Sequence, residues 1–144
     1  MTHRDAGRYA AKHEPGVSPD EKIAAAVRKK AGEGELACGD AERIGAELGA
    51  ALAEVGRTLD LLEIRIGRCQ LGLFGYGKER KAVHPADQVD PALAEAIRRG
   101  LSEGRLPCAA AWKIAAEGNI PRMKVAAACE ALNVRIKPCQ LGAF

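Results

Sequence analysis

The sequence predicts a mostly α-helical protein made of two copies of one small unit, each with three helices and a short β piece. Three observations lead there. The stretch "RIGRCQLGLF", residues 65–74, returns as "RIKPCQLGAF", residues 135–144, so that Cys69 falls on Cys139 at an offset of 70. At that offset segment 20–74 slides onto 90–144 without a gap. It pairs Asp20 with Asp90, Arg28 with Arg98, Cys38 with Cys108, Ile44 with Ile114, Val55 with Val125 and Leu62 with Leu132. Matches spread over helical and loop-like stretches alike mark a duplicated structural unit. Finally, the 144 residues are 47% hydrophobic but only 3% aromatic. The apolar volume is therefore mostly Ala, Leu, Ile and Val, which suits short, closely packed helices.

The duplication divides the chain into an N-terminal arm over 1–19, a first unit over 20–74, a linker over 75–89 and a second unit over 90–144. The arm is polar, carries Pro15, Gly16, Ser18 and Pro19, and reads as flexible. The linker, "GYGKERKAVHPADQV", is charged and turn-rich. Each unit opens on a helix. "PDEKIAAAVRKKA" and "DPALAEAIRRGL" put Pro and acids first and basic residues last, the order that the helix dipole favours. "GELAC" and "GRLPC" follow as short extended pieces. Two helices joined by a tight turn come next, over "DAERIGAELGAALAEVGRTLDLL" and "AAWKIAAEGNIPRMKVAAACEAL". A short alternating strand, "EIRIGRC" or "NVRIKPC", completes the order. Leu71/Leu141 and Phe74/Phe144 are expected to tuck back over the helices, with Gly72 and Gly142 allowing the turn.

The paired helices carry a resemblance. Gly45, Gly49 and Val55 in the first copy, and Ala115, Asn119 and Val125 in the second, have the spacing of small residue, turn residue and aliphatic plug. The small residue admits the second helix, the turn residue takes positive φ, and the valine fills the pair from the second helix. Ile44/Ile114 and Leu62/Leu132 are expected to complete the core face. In these residues the chain resembles the helix-turn-helix units of bacterial DNA-binding regulators. With an extended piece before the pair and a strand after it, each copy is similar to a small winged-helix domain with a reduced wing.

The resemblance implies a small DNA-binding, transcription-regulator-like protein with double-stranded DNA as partner. The outward positions of the second helix would be Ala51, Leu52, Ala53, Gly56, Arg57 and Asp60 in one copy, and Pro121, Arg122, Met123, Ala126, Ala127 and Glu130 in the other. Arg57 and Arg122, with Lys124, are the candidate DNA contacts, and Arg28 and Arg98 are candidate phosphate clamps. Asp60 and Glu130 oppose phosphate. The alternative is a protein-interaction or assembly factor on the same scaffold, with a protein partner or a homo-oligomer. A third reading is a cysteine-based metal or redox sensor. If the extended piece and the strand are neighbours, Cys38 approaches Cys69 and Cys108 approaches Cys139, which makes these four the candidate ligands. They lack the Cys-x-x-Cys spacing, and buried thiols serve commonly as small hydrophobes, so no cofactor is expected. Cys129, aligned with Leu59, is expected to fill the core.

A net charge of +3 permits a nucleic-acid partner without requiring one. No apolar run approaches the roughly 20 residues of a membrane span, and "MTHRDAGRYAAKHEPG" lacks a secretory apolar core. A cytoplasmic location with reduced thiols is therefore expected. The three histidines, His3, His13 and His84, fall in the arm and linker with no repeated partner, and no catalytic constellation stands out, so the chain is expected not to be an enzyme.

Overall fold

A computed structural model describes residues 7–144. Of the arm, residues 1–6, His3 among them, lie outside the described residues. The expected mostly helical class is what the chain adopts. The described residues hold six α-helices: α1 (Glu21–Lys30), α2 (Cys38–Leu48), α3 (Leu52–Leu61), α4 (Pro91–Gly100), α5 (Cys108–Gly118) and α6 (Arg122–Ala131). The bounds of α4, α5 and α6 lie 70 residues on from those of α1, α2 and α3.

Local chemistry explains these bounds. The Asp20 carboxylate accepts from the Ile23 N–H at 3.0 Å and caps α1, and Asp90 accepts from the Ala92 N–H at 2.8 Å and caps α4. Each such cap is worth about 1 kcal/mol. Arg28, Lys29 and Lys30 end α1, and Arg98 and Arg99 lie in the last turn of α4, where the dipole is negative. The α2–α3 turn needs a left-handed residue, and Gly49 supplies it at φ +62°. Asn119 does the same between α5 and α6 at φ +53°, a conformation that Asn tolerates better than most residues. A Cβ on Gly45 would lie 3.0 Å from the Ala50 carbonyl oxygen and 3.6 Å from Val55 Cγ2, so a small residue is required there.

Two short strands, β1 (Glu35–Ala37) and β2 (Arg65–Gly67), pair in parallel, with Leu36 opposite Ile66. The helix pair α2–α3 is their crossover. The corresponding contact further on is a single parallel bridge between Leu106 and Ile136. Among the described residues the only sheet is the β1–β2 pair, so no wing hairpin extends it.

The chain divides into two compact units. One comprises the described residues up to Cys69 together with Gln140–Phe144, and the other is Gln70–Cys139. The core of the first is built from Ile23, Val27, Leu36, Ile44, Val55, Leu59 and Ile66, with Tyr9 and Leu141 buried beside them. The second uses Ile97, Leu106, Ala111, Ala115, Val125 and Cys129, with Leu71 and Val83. Cys129 fills the place that Leu59 takes in the first unit, and both are fully buried. Several positions differ from the sequence expectation. Leu132 is 38% exposed, because it caps the end of α6 instead of standing on its core face. Gly56 and Asp60, expected to point outward, are buried.

Candidate functional site

Part of the face of α3 that would enter a DNA groove is covered by the protein itself, at Gly56 and Asp60, while Ala51 and Ala53 stay exposed. Gly56 lies so close to the 140–144 segment that a Cβ there would sit 2.0 Å from the Leu141 carbonyl oxygen. The buried Asp60 carboxylate accepts from Lys12 Nζ at 3.3 Å and lies 2.8 Å from His13 Nε2, and Lys12 Nζ also donates to the Gly142 carbonyl at 3.0 Å. Glu63 accepts from the backbone N–H groups of Tyr9 and Ala10 at 2.9 and 2.8 Å. Residues 9–13 and 140–144 thus lie along α3 and its C-terminal end.

The second unit treats α6 in the same way. The Ala86 N–H donates to the Ala127 carbonyl at 3.0 Å, and Lys81 pairs with Glu130. The Val83 N–H donates to the Gly72 carbonyl at 3.1 Å, and a Cβ on Gly72 would lie 3.1 Å from Met123 Cε. Ala126 is fully buried. Asp60 and Glu130, which sequence spacing sets against a phosphate backbone, instead anchor chain segments through lysines.

The sequence-predicted cations are scattered. Arg57 is half-exposed and pairs with Glu54 one turn back. The Arg122 guanidinium stacks on the Trp112 ring, 3.7 Å from its centroid. Lys124 is exposed on α6. Arg28 is exposed at the end of α1, and Arg98 is exposed at the end of α4, where it bonds Glu95 at 2.8 Å.

A denser basic group forms on the short β bridge of the second unit. The Leu106 N–H donates to the Arg135 carbonyl, and the Lys137 N–H donates to the Leu106 carbonyl, both at 2.9 Å. Leu106 is buried, whereas Arg105, Arg135 and Lys137 are exposed. Strand alternation puts Arg135 and Lys137 on one face. Running the Leu106–Ile136 register back by one residue sets Arg105 opposite Arg135, strands being about 4.8 Å apart. Among the described residues none of the three meets a carboxylate. The first unit is neutral at the same place. There Glu35 stands opposite Arg65 and bonds its guanidinium, raising the arginine pKa further. A Cβ on Gly67 would collide with the Glu35 carboxylate, which lies across it. Sequence reasoning missed Arg105, Arg135 and Lys137 because it followed identities between the copies. The signal was in the differences, Glu35 becoming Arg105 and Gly67 becoming Lys137.

All five cysteines are thiols. Cys38 follows Ala37, which pairs with Gly67 two residues before Cys69, and the Cys108 N–H donates to the Pro138 carbonyl at 3.0 Å. The extended pieces that carry each pair are therefore neighbours. Among the described residues no three His, Cys, Asp or Glu side chains gather as a metal site. Burial, and next the Glu130 charge, push the Cys129 thiol up to about 11, which keeps it protonated and inert at neutral pH. Among the described residues no helix is long and apolar enough to cross a membrane. No family model, curated protein or solved structure matches the chain.

Proposed function

We propose that the chain is a small duplex-DNA-binding protein built from two tandem helix-turn-helix units, and that it grips phosphates through the strand face of its second unit. The helix bounds repeated at an offset of 70 and the left-handed turns at Gly49 and Asn119 support the duplicated scaffold. The observation that carries the DNA reading is the exposed Arg105, Arg135 and Lys137 group, left without carboxylate partners where the first unit neutralises itself with Glu35. Like charges set opposite one another on paired strands destabilise them, so an anionic partner accounts for their presence.

The burial of Gly56, Asp60 and Ala126 takes part of each second helix away from base reading. The binding is then sequence-tolerant and held by the backbone. Three phosphate contacts give a log–log salt slope of about −2.7. Anisotropy titrations of a labelled duplex between 50 and 200 mM salt test this. Binding that weakens with rising salt and ignores sequence supports the reading, whereas no binding at the lowest salt refutes it. The same covered faces favour a second reading, an assembly factor in which these helices receive peptide segments.

A further inference from the structure

The segment that covers Gly56 does not come from the copy that contains Gly56. Residues 70–74, Gln-Leu-Gly-Leu-Phe, continue the first copy but pack in the second unit. Residues 140–144, Gln-Leu-Gly-Ala-Phe, continue the second copy but pack in the first. Each copy thus supplies a pentapeptide that the other copy's helices hold.

The two seats are not interchangeable. At Gly56 the absence of a Cβ lets the Leu141 backbone approach closely, and Ala143 is buried at 3% exposure. At the corresponding place α6 carries Ala126, and Leu73 remains half-buried. Lys12 adds a polar latch on the first seat through its 3.0 Å bond to the Gly142 carbonyl.

We infer that the α3 groove around Gly56 is a docking site for residues 140–144 of a second copy of this chain, and that two copies exchange these segments to form a closed two-fold dimer. The segment leaves the second unit at Cys139 and is held in the first by docking alone. A neighbouring molecule's groove offers it the same Gly56, Lys12 and Asp60. The docking contacts of residues 140–144 are the same in the exchanged pair as in the single chain, which makes segment exchange a low-cost route to a dimer. Docking within one chain competes at an effective concentration of order millimolar, so single chains dominate in dilute solution.

The test removes that competition. One variant ends at Cys139 and keeps an open groove. The other, Gly56→Ala, keeps the segment but blocks its own groove. Each alone should run as a monomer by light scattering, and mixing them at roughly 0.2 mM should yield a 1:1 complex of twice the monomer mass. Circular dichroism and thermal melting check that both are folded. If Gly56→Ala fails to fold, excess unsubstituted chain serves as the donor and must shift the truncated chain into the same complex. Persistence of separate monomers from folded partners overturns the proposal. A DNA titration of the unsubstituted chain is independent of this outcome, so the failure of one reading leaves the other standing.

Discussion

Replacing Arg105 by Glu should make the protein more stable and a weaker DNA binder at once. The substitution writes the first unit's Glu35–Arg65 arrangement into the second unit, opposite Arg135. Two exposed guanidinium groups about 6 Å apart in water repel by about 0.7 kcal/mol. Their replacement by an exposed ion pair contributes roughly 0.2–1 kcal/mol more. The expected stabilisation is about 1 kcal/mol, read as a rise of a few degrees in Tm. Binding moves the other way. One cation is lost and Arg135 becomes neutralised, which removes about two phosphate contacts and lowers the magnitude of the salt slope by about 1.8. Between 50 and 200 mM salt, unsubstituted protein should lose about 12-fold more affinity than Arg105→Glu loses. Anisotropy and thermal denaturation on the same samples give both quantities. An unchanged salt slope would refute the assignment of these cations to phosphate. A fall in Tm would refute the claim that they repel one another.

Other substitutions test the scaffold and the older candidates. Gly56→Ala should cost about 1–3 kcal/mol, the usual overpacking range, because its Cβ meets backbone rather than a side-chain tip; chemical denaturation measures it. Asp60→Ala removes the carboxylate that Lys12 and His13 share and should cost about 1.5–3 kcal/mol, the range for hydrogen bonds to a charged group, since both cations still reach solvent; chemical denaturation measures it. Arg57→Ala with Arg122→Ala should leave duplex affinity within about twofold, since one side chain is paired with Glu54 and the other is stacked on Trp112; a tenfold loss would return the site to the second helices. The Cys129 thiol ionises near pH 9 when unfolded and near 11 when folded. Its contribution is therefore full below pH 9 and lost as pH rises toward 11, by roughly 3 kcal/mol, and Cys129→Ser should flatten that decline in a denaturation series against pH.

Much of the scaffold is legible in the sequence. Caps at Asp20 and Asp90, the positive φ at Gly49 and Asn119, and the buried valines 55 and 125 all follow from local chemistry that a spacing rule captures. Leu132 escaped the rule because one residue of frame at a helix end turns a core position outward. The covering of α3 and α6 was not legible at all. It depends on which distant segment lies on a helix, and pairs such as Lys12 with Asp60, 48 residues apart, leave no local trace. The partner of His13 leaves no local trace for the same reason, since Asp60 lies 47 residues away.

The basic face shows where the differences between the two units carry information that their shared residues lack. Positions held in common, such as Leu36/Leu106 and Val55/Val125, are fully buried and answer to packing in both units. Selection for packing explains their identity and says nothing of function. The pair of lysine latches is retained as well, with Lys12 on Asp60 and Lys81 on Glu130, although the latch residues lie outside the ungapped repeat. A structural role therefore survives in both copies even when the residue types drift. At the exposed strand face no packing constraint acts on the side chains, and there the copies separate in charge: a neutral, internally paired Glu35 and Arg65 against an unpaired Arg105, Arg135 and Lys137. The first arrangement is the one that stability alone favours, by the same Coulomb argument that makes Arg105→Glu stabilising. The proposed phosphate grip predicts this division, and Arg105→Glu, which writes the favourable pairing into the second unit, is the substitution that tests it.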